Sequence, residues 1–165
     1  ASEVYKRQGY LSRQTGLTIE EIEHQLYHQS GLLALAGSAD FREIERRATE
    51  GDTQARLAID IYAYRVRKYL GAYTVVMGGL DALVFTGGIG ENSAMMRQKI
   101  CEQLEFFGLS IDADKNRELE LKDYQVQVIS SEFSKATIIV TQTSEQLMIA
   151  RQIYQHLRSV DSSDQ

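Results

Sequence analysis

The residues best suited to ligand chemistry lie in the segment DALVFTGGIGENSAMMR, residues 81–97. An apolar run ends at Phe85, and it is followed by three glycines and two polar residues able to begin a helix: Gly87, Gly88, Gly90, Asn92 and Ser93. Glycine lets a backbone approach a ligand closely and adopt positive φ. The first amides of a helix lack intrahelical acceptors and attract anions. The segment therefore predicts a strand, a glycine-rich turn and a helix N-terminus that together receive an anionic or nucleotide ligand.

Spacing alone leaves a second interpretation of this segment open. Ser93 stands where a dinucleotide-binding fingerprint has its third glycine, and no Lys-Ser/Thr pair follows to make a P-loop. The alternative is a tight strand-to-helix turn that binds nothing.

The elements that must position this segment follow from hydrophobic periodicity and capping signals. Thr18 and Glu21 form a capping box that begins a helix reaching about His28. Apolar positions recur at three- and four-residue steps through 52–77, which predicts one long helix ended by Gly78-Gly79. The pattern also predicts an apolar loop at 30–40, helices at 2–14, 41–50, 93–106 and 143–158, and strands at 82–86, 125–130 and 136–141. Helices alternating with strands indicate an α/β layer fold.

Composition limits the class of protein. A chain of 165 residues can bury a core, and a net charge of −5 argues against a broad nucleic-acid or membrane surface. Cys101, the only cysteine, lies on a helical apolar stripe and is predicted to be a core thiol. With no disulfide possible within the chain, a reducing cytoplasm is the expected location. No apolar run approaches the roughly 18 residues needed to span a membrane.

A longer set of motifs resembles a known family. The strings GGLDALVFTGGIGENS, Arg97, FFGL and TSEQLMIAR are similar to the C-terminal part of acetate kinase and of its propionate kinase relatives, in the superfamily of sugar kinases, actin and heat-shock chaperone ATPases. The resemblance runs from about Gly16 to about Arg151 and covers well under half of such an enzyme. It implies the C-terminal portion of an actin-like (ribonuclease H-like) ATPase domain, helix-rich with a short sheet. Residues 1–158 are then a nucleotide-binding fragment of a two-domain kinase, and 159–165 a disordered tail.

The resemblance implies a role for the glycine-rich segment in binding ATP. The matching positions, which would lie against the adenosine and inner phosphates, are Gly88, Ile89, Gly90, Glu91 and Asn92. A side chain at Gly90 is expected either to strain a positive φ or to project into the space of the nucleotide.

Two further motifs match the family. Asp40, Phe41 and Arg42 are implied to form an adenosine-side wall, in which Phe41 is an apolar platform and Arg42 can stack on a base. The alternative reading from the residues alone is a helix cap beside a surface arginine. Glu145 matches a magnesium ligand, with Gln146 in place of a second acid. Its alternative is a favourable acid in the first turn of a helix.

Other candidates are interpreted structurally. His24 and His28 have the i, i+4 spacing of metal ligands but no further ligand motif, so solvated helix positions are expected. The tyrosines of the long helix are expected to serve the core and an interface: Tyr62, Tyr64, Tyr69 and Tyr73.

The resemblance implies an ATP-dependent kinase that reversibly transfers the γ-phosphoryl to acetate or propionate, with Mg²⁺ (or Mn²⁺) as cofactor, ATP/ADP as substrate and a homodimer as assembly. Its catalytic residues are implied to lie upstream, so none is assigned here and the isolated chain is expected to be inactive. The alternative is a non-catalytic nucleotide-binding or dimerisation module.

Overall fold

The computed structural model describes residues 2–122, 125–143, 148–150 and 152–154, with residues 2–6 described by their backbone alone. The chain divides into two compact units, residues 1–64 and 65–165. In sequence, the division falls within one long helix.

The first unit is helical. Its elements are α1 (Ser2–Thr15), α2 (Ile19–His28), α3 (Gly31–Ala36), α4 (Phe41–Thr49) and the first part of α5 (Thr53–Met77). These bounds confirm the helices predicted at 2–14, 18–28, 41–50 and 52–77. The capping box is also confirmed, because the Thr18 hydroxyl accepts from the Glu21 amide at 3.2 Å and the Thr18 amide donates to the Glu21 carboxylate at 2.8 Å.

The predicted loop at 30–40 is wrong over Gly31–Ala36, because GLLALA forms the short helix α3, and residues 37–40 are irregular as predicted. Leucine and alanine favour helix, and a stretch this short and apolar gives no clear periodicity. Tertiary contacts hold it in place: Arg47 Nη1 donates to the Ala36 carbonyl at 2.7 Å, while Arg47 Nη2 pairs with Asp52 at 2.6 Å. Ala36 itself is buried.

Apolar faces of these helices make the core of the first unit. Its buried residues share small or branched aliphatic side chains, apart from one phenylalanine: Ile22, Ala36, Phe41, Ile44, Ala48, Ala55, Ala58, Ile59 and Ala63. Four of the nine lie on the first part of α5, where they recur at steps of three and four residues.

The second unit contains a three-stranded sheet. Its strands are β1 (Ala82–Phe85), β2 (Val126–Val128) and β3 (Thr137–Thr141), in the order β1-β3-β2. β1 is parallel to β3, with Phe85 opposite Val140, and β2 is antiparallel to β3. Ile138 and Val140 of the central strand are fully buried. The three predicted strands are therefore confirmed.

Short helices accompany this sheet: α6 (Gly87–Asn92), α7 (Ala94–Cys101), α8 (Ala113–Arg117) and a 3₁₀ turn at Glu105–Phe107. The helix predicted at 93–106 ends early, at Cys101, and Gln103 then takes a φ of +60°. Residues 148–150 and 152–154 are helical. The rest of the helix predicted at 143–158 and the tail at 159–165 lie outside the described residues, apart from Thr143.

Two side-chain predictions have clear outcomes. Cys101 is 3% exposed, and burial raises the pKa of its thiol to about 12, so the core-thiol prediction is confirmed. Tyr64, Tyr69 and Tyr73 are exposed, so a core role for these three is wrong. Their interface role stays a prediction. Among the described residues, no helix is both long and apolar enough to cross a membrane.

Candidate functional site

The glycine-rich segment is a helix, which corrects the predicted turn. α6 begins at Gly87, whose φ of +73° turns the chain out of β1, and runs to Asn92. Only glycine adopts this φ without strain. Ser93 then caps α7, because its hydroxyl accepts from the Met96 amide at 3.0 Å. Asn92 Nδ2 donates to the Gly88 carbonyl at 2.8 Å and closes the short helix on itself.

The structure contradicts one of the two expectations for Gly90, and the other, a side chain that would project into the space of the nucleotide, stays a prediction. The positive φ expected there is wrong, since Gly87 is the residue of this segment that adopts it. A Cβ at Gly90 would lie 3.3 Å from the Phe85 carbonyl carbon, whereas a Cβ at Gly88 would meet nothing within 4 Å. Gly90 therefore allows α6 to pack closely on the end of β1, and Gly88 faces open space.

The Glu91 carboxylate joins α6 to the segment after β3. Its Oε1 accepts from the Gly87 amide at 2.8 Å, the Thr143 amide at 2.8 Å and the Thr143 hydroxyl at 3.1 Å. The Thr86 hydroxyl lies 3.4 Å from the same oxygen and 2.7 Å from the Thr143 hydroxyl. One carboxylate oxygen thus ties the start of α6, at Gly87, to Thr143, 56 residues further along the chain.

Charge at this contact favours the ionised acid. Partial burial raises the pKa of Glu91, but hydrogen bonds from the Thr143 and Gly87 amides and from two threonine hydroxyls outweigh it. The pKa of Glu91 is therefore lower than usual, and the contact is a charge-assisted hydrogen-bond cluster at neutral pH.

The predicted adenosine wall contains a helix cap. Asp40 caps α4 by accepting from the Arg42 amide at 3.0 Å, and it pairs with the Arg42 guanidinium at 2.8 Å. The hydrogen bonds from the Arg42 side chain lower the pKa of Asp40. Phe41 is 8% exposed and its ring lies 6.2 Å from that of Tyr62, so it packs in the core instead of forming an open platform. Contact with adenosine stays a prediction for these residues.

The predicted metal ligand, Glu145, and its neighbour Gln146 lie outside the described residues. Thr143 is the last described residue before them. Within the part of the chain that is described, no group of three or more His, Cys, Asp and Glu side chains is placed to hold a metal ion. His24 and His28 lie side by side, with ring centroids 4.7 Å apart.

Comparison with known proteins identifies the family. The model of the acetokinase family matches residues 7–151. The chain belongs to the acetokinase family. A propionate kinase of Escherichia fergusonii is 47% identical over 145 residues, and an acetate kinase of Carboxydothermus hydrogenoformans is 42% identical over 143. Each match covers 87% of this chain but only 34% and 35% of the relative, so this acetokinase chain spans about a third of their length.

Solved structures agree with the family assignment. This acetokinase chain matches the acetate kinase of Porphyromonas gingivalis with a TM-score of 0.83 at 40% identity, over 92% of its own length and 38% of that chain. A propionate kinase of Francisella tularensis matches with a TM-score of 0.77 at 43% identity, over 86% and 35%. The expected fold class, an α/β part of an actin-like ATPase domain, is therefore confirmed.

Sequence reasoning missed several residues that shape this acetokinase site. Thr86 and Thr143 flank β1 and β3, and only the TSEQ motif that begins at Thr143 hinted at one of them. Arg97 and Asn116 are both buried and hydrogen-bond each other. In the sequence, Arg97 stands out only through the family resemblance, and no sequence signal marks Asn116.

Proposed function

We propose that the complete protein is an acetate or propionate kinase, and that this chain is its C-terminal nucleotide-binding part. The reaction is reversible transfer of the γ-phosphoryl of ATP to a short carboxylate, which gives an acyl phosphate and ADP. Membership in the acetokinase family and the names of the similar proteins support this proposal. Phosphoryl transfer depends chiefly on positioning the reactants and neutralising phosphate charge. A part of the protein that holds the nucleotide would contribute the positioning of ATP.

One observation carries the proposal: the Glu91 contact brings together the two motifs that the resemblance gives to ATP phosphates and to magnesium. The first is the helix α6, and the second begins at Thr143. The two lie at the ends of β1 and β3, which are parallel neighbours in the sheet. Ligands in α/β folds collect at the carboxyl ends of such strands.

The proposed roles follow the described geometry. Exposed Gly88 and Asn92 lie on the open side of α6 and Ile89 is half-buried, whereas Gly90 and Glu91 contact the protein behind it. Gly88, Ile89 and Asn92 are thus placed to contact the nucleotide, and Gly90 and Glu91 hold the backbone that does so. In the other unit, exposed Arg42 is proposed to contact the adenosine, with Asp40 orienting its guanidinium and Phe41 anchoring the helix.

A divalent cation is expected to bind together with the nucleotide. The described side-chain atoms near Thr143 that could bind a metal are carboxylate and hydroxyl oxygens, which are the ligand atoms that Mg²⁺ or Mn²⁺ prefers. Glu91 Oε1 already accepts several hydrogen bonds, so we assign the metal to Glu145 and to phosphate oxygens. When bound, the cation neutralises phosphate charge.

A second candidate, a dimerisation module, is favoured by the exposed side chains of α5. Tyr69 and Tyr73 stack with centroids 6.4 Å apart, and Tyr69, Tyr73 and Val76 are all more than half exposed. This surface also fits a homodimer of the kinase. Sedimentation of the complete protein at two concentrations, with and without Tyr73→Glu, tests the assignment, which fails if the variant associates like the parent.

The kinase proposal makes one direct prediction about activity. The complete protein is expected to form acyl phosphate, trapped as hydroxamate, from ATP, magnesium and acetate or propionate. This 165-residue chain alone is expected to form none, because transfer also needs groups that it does not supply. Acyl phosphate formed above background by the chain alone would refute the proposal that other parts of the protein are needed for transfer. An inactive complete protein that still binds ATP would favour a non-catalytic module.

A further inference from the structure

A buried arginine lies beneath the glycine-rich helix. Arg97 is 2% exposed, and its Nη1 donates to the Gly90 carbonyl at 2.8 Å and to the Glu91 carbonyl at 2.9 Å. These carbonyls belong to the last turn of α6, where no intrahelical amide follows to satisfy them. A cation at this end also complements the helix dipole. Arg97 thus fixes the backbone of two positions assigned to the nucleotide site.

Asn116 fixes the arginine in turn. Its Oδ1 accepts from Arg97 Nε at 2.7 Å, and its backbone carbonyl accepts from Arg97 Nη2 at 3.0 Å. Its Nδ2 donates to the Ala94 carbonyl at 2.9 Å, at the start of α7. Asn116 is 3% exposed, and the side-chain amide uses both its oxygen and its nitrogen in this contact.

The helix held by this pair has little stability of its own. α6 has six residues, of which three are glycines. Nucleating a helix is unfavourable, and each glycine costs about 1 kcal/mol relative to alanine. Its position must therefore come from tertiary contacts: Glu91 with Thr143 at one side, and Arg97 with Asn116 at the other.

We infer that Arg97 and Asn116 are a positioning pair for the nucleotide site: they set the place of the Gly88–Asn92 backbone, and through it the affinity for ATP. Neither residue needs to touch the nucleotide. The inference rests on the proposed function, since it assumes that this backbone contacts ATP. It predicts that damage to the pair lowers nucleotide affinity much more than affinity for the carboxylate substrate.

The test uses three variants of the complete protein. Arg97→Lys keeps the charge but cannot reach both the α6 carbonyls and Asn116. Asn116→Asp keeps the acceptor for Arg97 Nε but loses the donor to Ala94. Arg117→Lys is the matched control, because Arg117 follows Asn116 on α8 but is exposed and pairs with Asp114 at the surface.

We expect the KM for ATP to rise about tenfold or more in Arg97→Lys and about threefold in Asn116→Asp, while the KM for the carboxylate changes less than about twofold in either. Arg117→Lys should match the parent. Each rate is measured below the melting temperature of its variant. If Arg97→Lys does not fold, Asn116→Asp decides the question. Equal changes in both KM values, or an unchanged KM for ATP, would overturn the inference.

Turnover by the parent separates this inference from the proposed function. If the parent turns over and the variants behave like Arg117→Lys, only the positioning pair is wrong. If the parent does not turn over but binds ATP, calorimetry measures the dissociation constants of the same variants for ATP and for the carboxylate. The same fold-changes are then expected in these constants as in the KM values. A parent that does not bind ATP would overturn both.

Discussion

Gly88→Val is expected to weaken ATP binding by the complete protein about tenfold or more, a loss of about 1.4 kcal/mol, without a large loss of stability. Gly88 is exposed and has no positive φ, and apart from its chain neighbours and the backbone of α6 a Cβ there would meet nothing within 4 Å. The added side chain thus has room in the fold but would occupy space assigned to the nucleotide. Calorimetry gives the affinity, and a thermal melt should stay within about 2 °C of the parent.

Gly90→Val supplies the matched contrast. Its Cβ would lie 3.3 Å from the Phe85 carbonyl carbon, so the fold itself should lose about 1–3 kcal/mol through overpacking. The two variants thus distinguish loss of nucleotide contact, which should lower ATP affinity, from loss of packing against β1, which should lower stability. If Gly88→Val binds ATP like the parent, α6 is only a structural connection between β1 and α7, and the nucleotide assignment of this segment loses its main support.

Glu91→Ala is expected to raise the magnesium concentration needed for half-maximal activity by about tenfold or more. The substitution removes the acceptor that joins the Gly87 and Thr143 amides, so the segment that leads to Glu145 loses its tie to α6. Glu43→Ala is a suitable control, since Glu43 is an exposed acid on α4 that contacts the Ser38 hydroxyl. A magnesium titration that is unchanged in Glu91→Ala would contradict this role.

The charge of Glu91 adds a pH signature. Because its pKa is lowered in the folded state, the contact stabilises the protein above the unfolded pKa of about 4.3 and loses this contribution as pH falls through the folded value. The Glu91→Gln variant has no titrating group at position 91, so its free energy of unfolding should fall less than that of the parent below about pH 4.3. The difference between the two curves removes the effect of other carboxylates, such as Asp40 and Asp52, whose pKa values are also lowered.

Sequence patterns were most reliable where the cause of structure is local. The Thr18 and Glu21 capping box involves four consecutive residues, and the apolar repeat of α5 lies on a buried face in its first part, from Ala55 to Ala63. The strands β1 and β3 were visible because they are short, apolar and rich in branched residues. Each of these predictions needed only neighbours in sequence.

Contacts across the chain were beyond the reach of those patterns. Glycine propensity argues against a helix at 87–92, yet Glu91, Thr143 and Arg97 hold one there through contacts with the rest of the unit. Gly87 adopts the left-handed φ, whereas Gly90 allows the backbone of α6 to approach Phe85 closely. This difference depends on how α6 packs against the end of β1. Arg97 and Asn116 are 19 residues apart and form no motif. Tertiary structure alone brings them together.

Hydrogen exchange of the complete protein, measured with and without saturating ADP and magnesium, tests whether α6 and the start of the Thr143 segment form the nucleotide site. We predict slower exchange in peptides covering 86–93 when ADP is bound, with no change in the helix α2 at 19–28, which is exposed apart from Ile22. Calorimetry under the same conditions establishes that ADP is bound. Saturated binding with unchanged exchange at 86–93 would contradict the account.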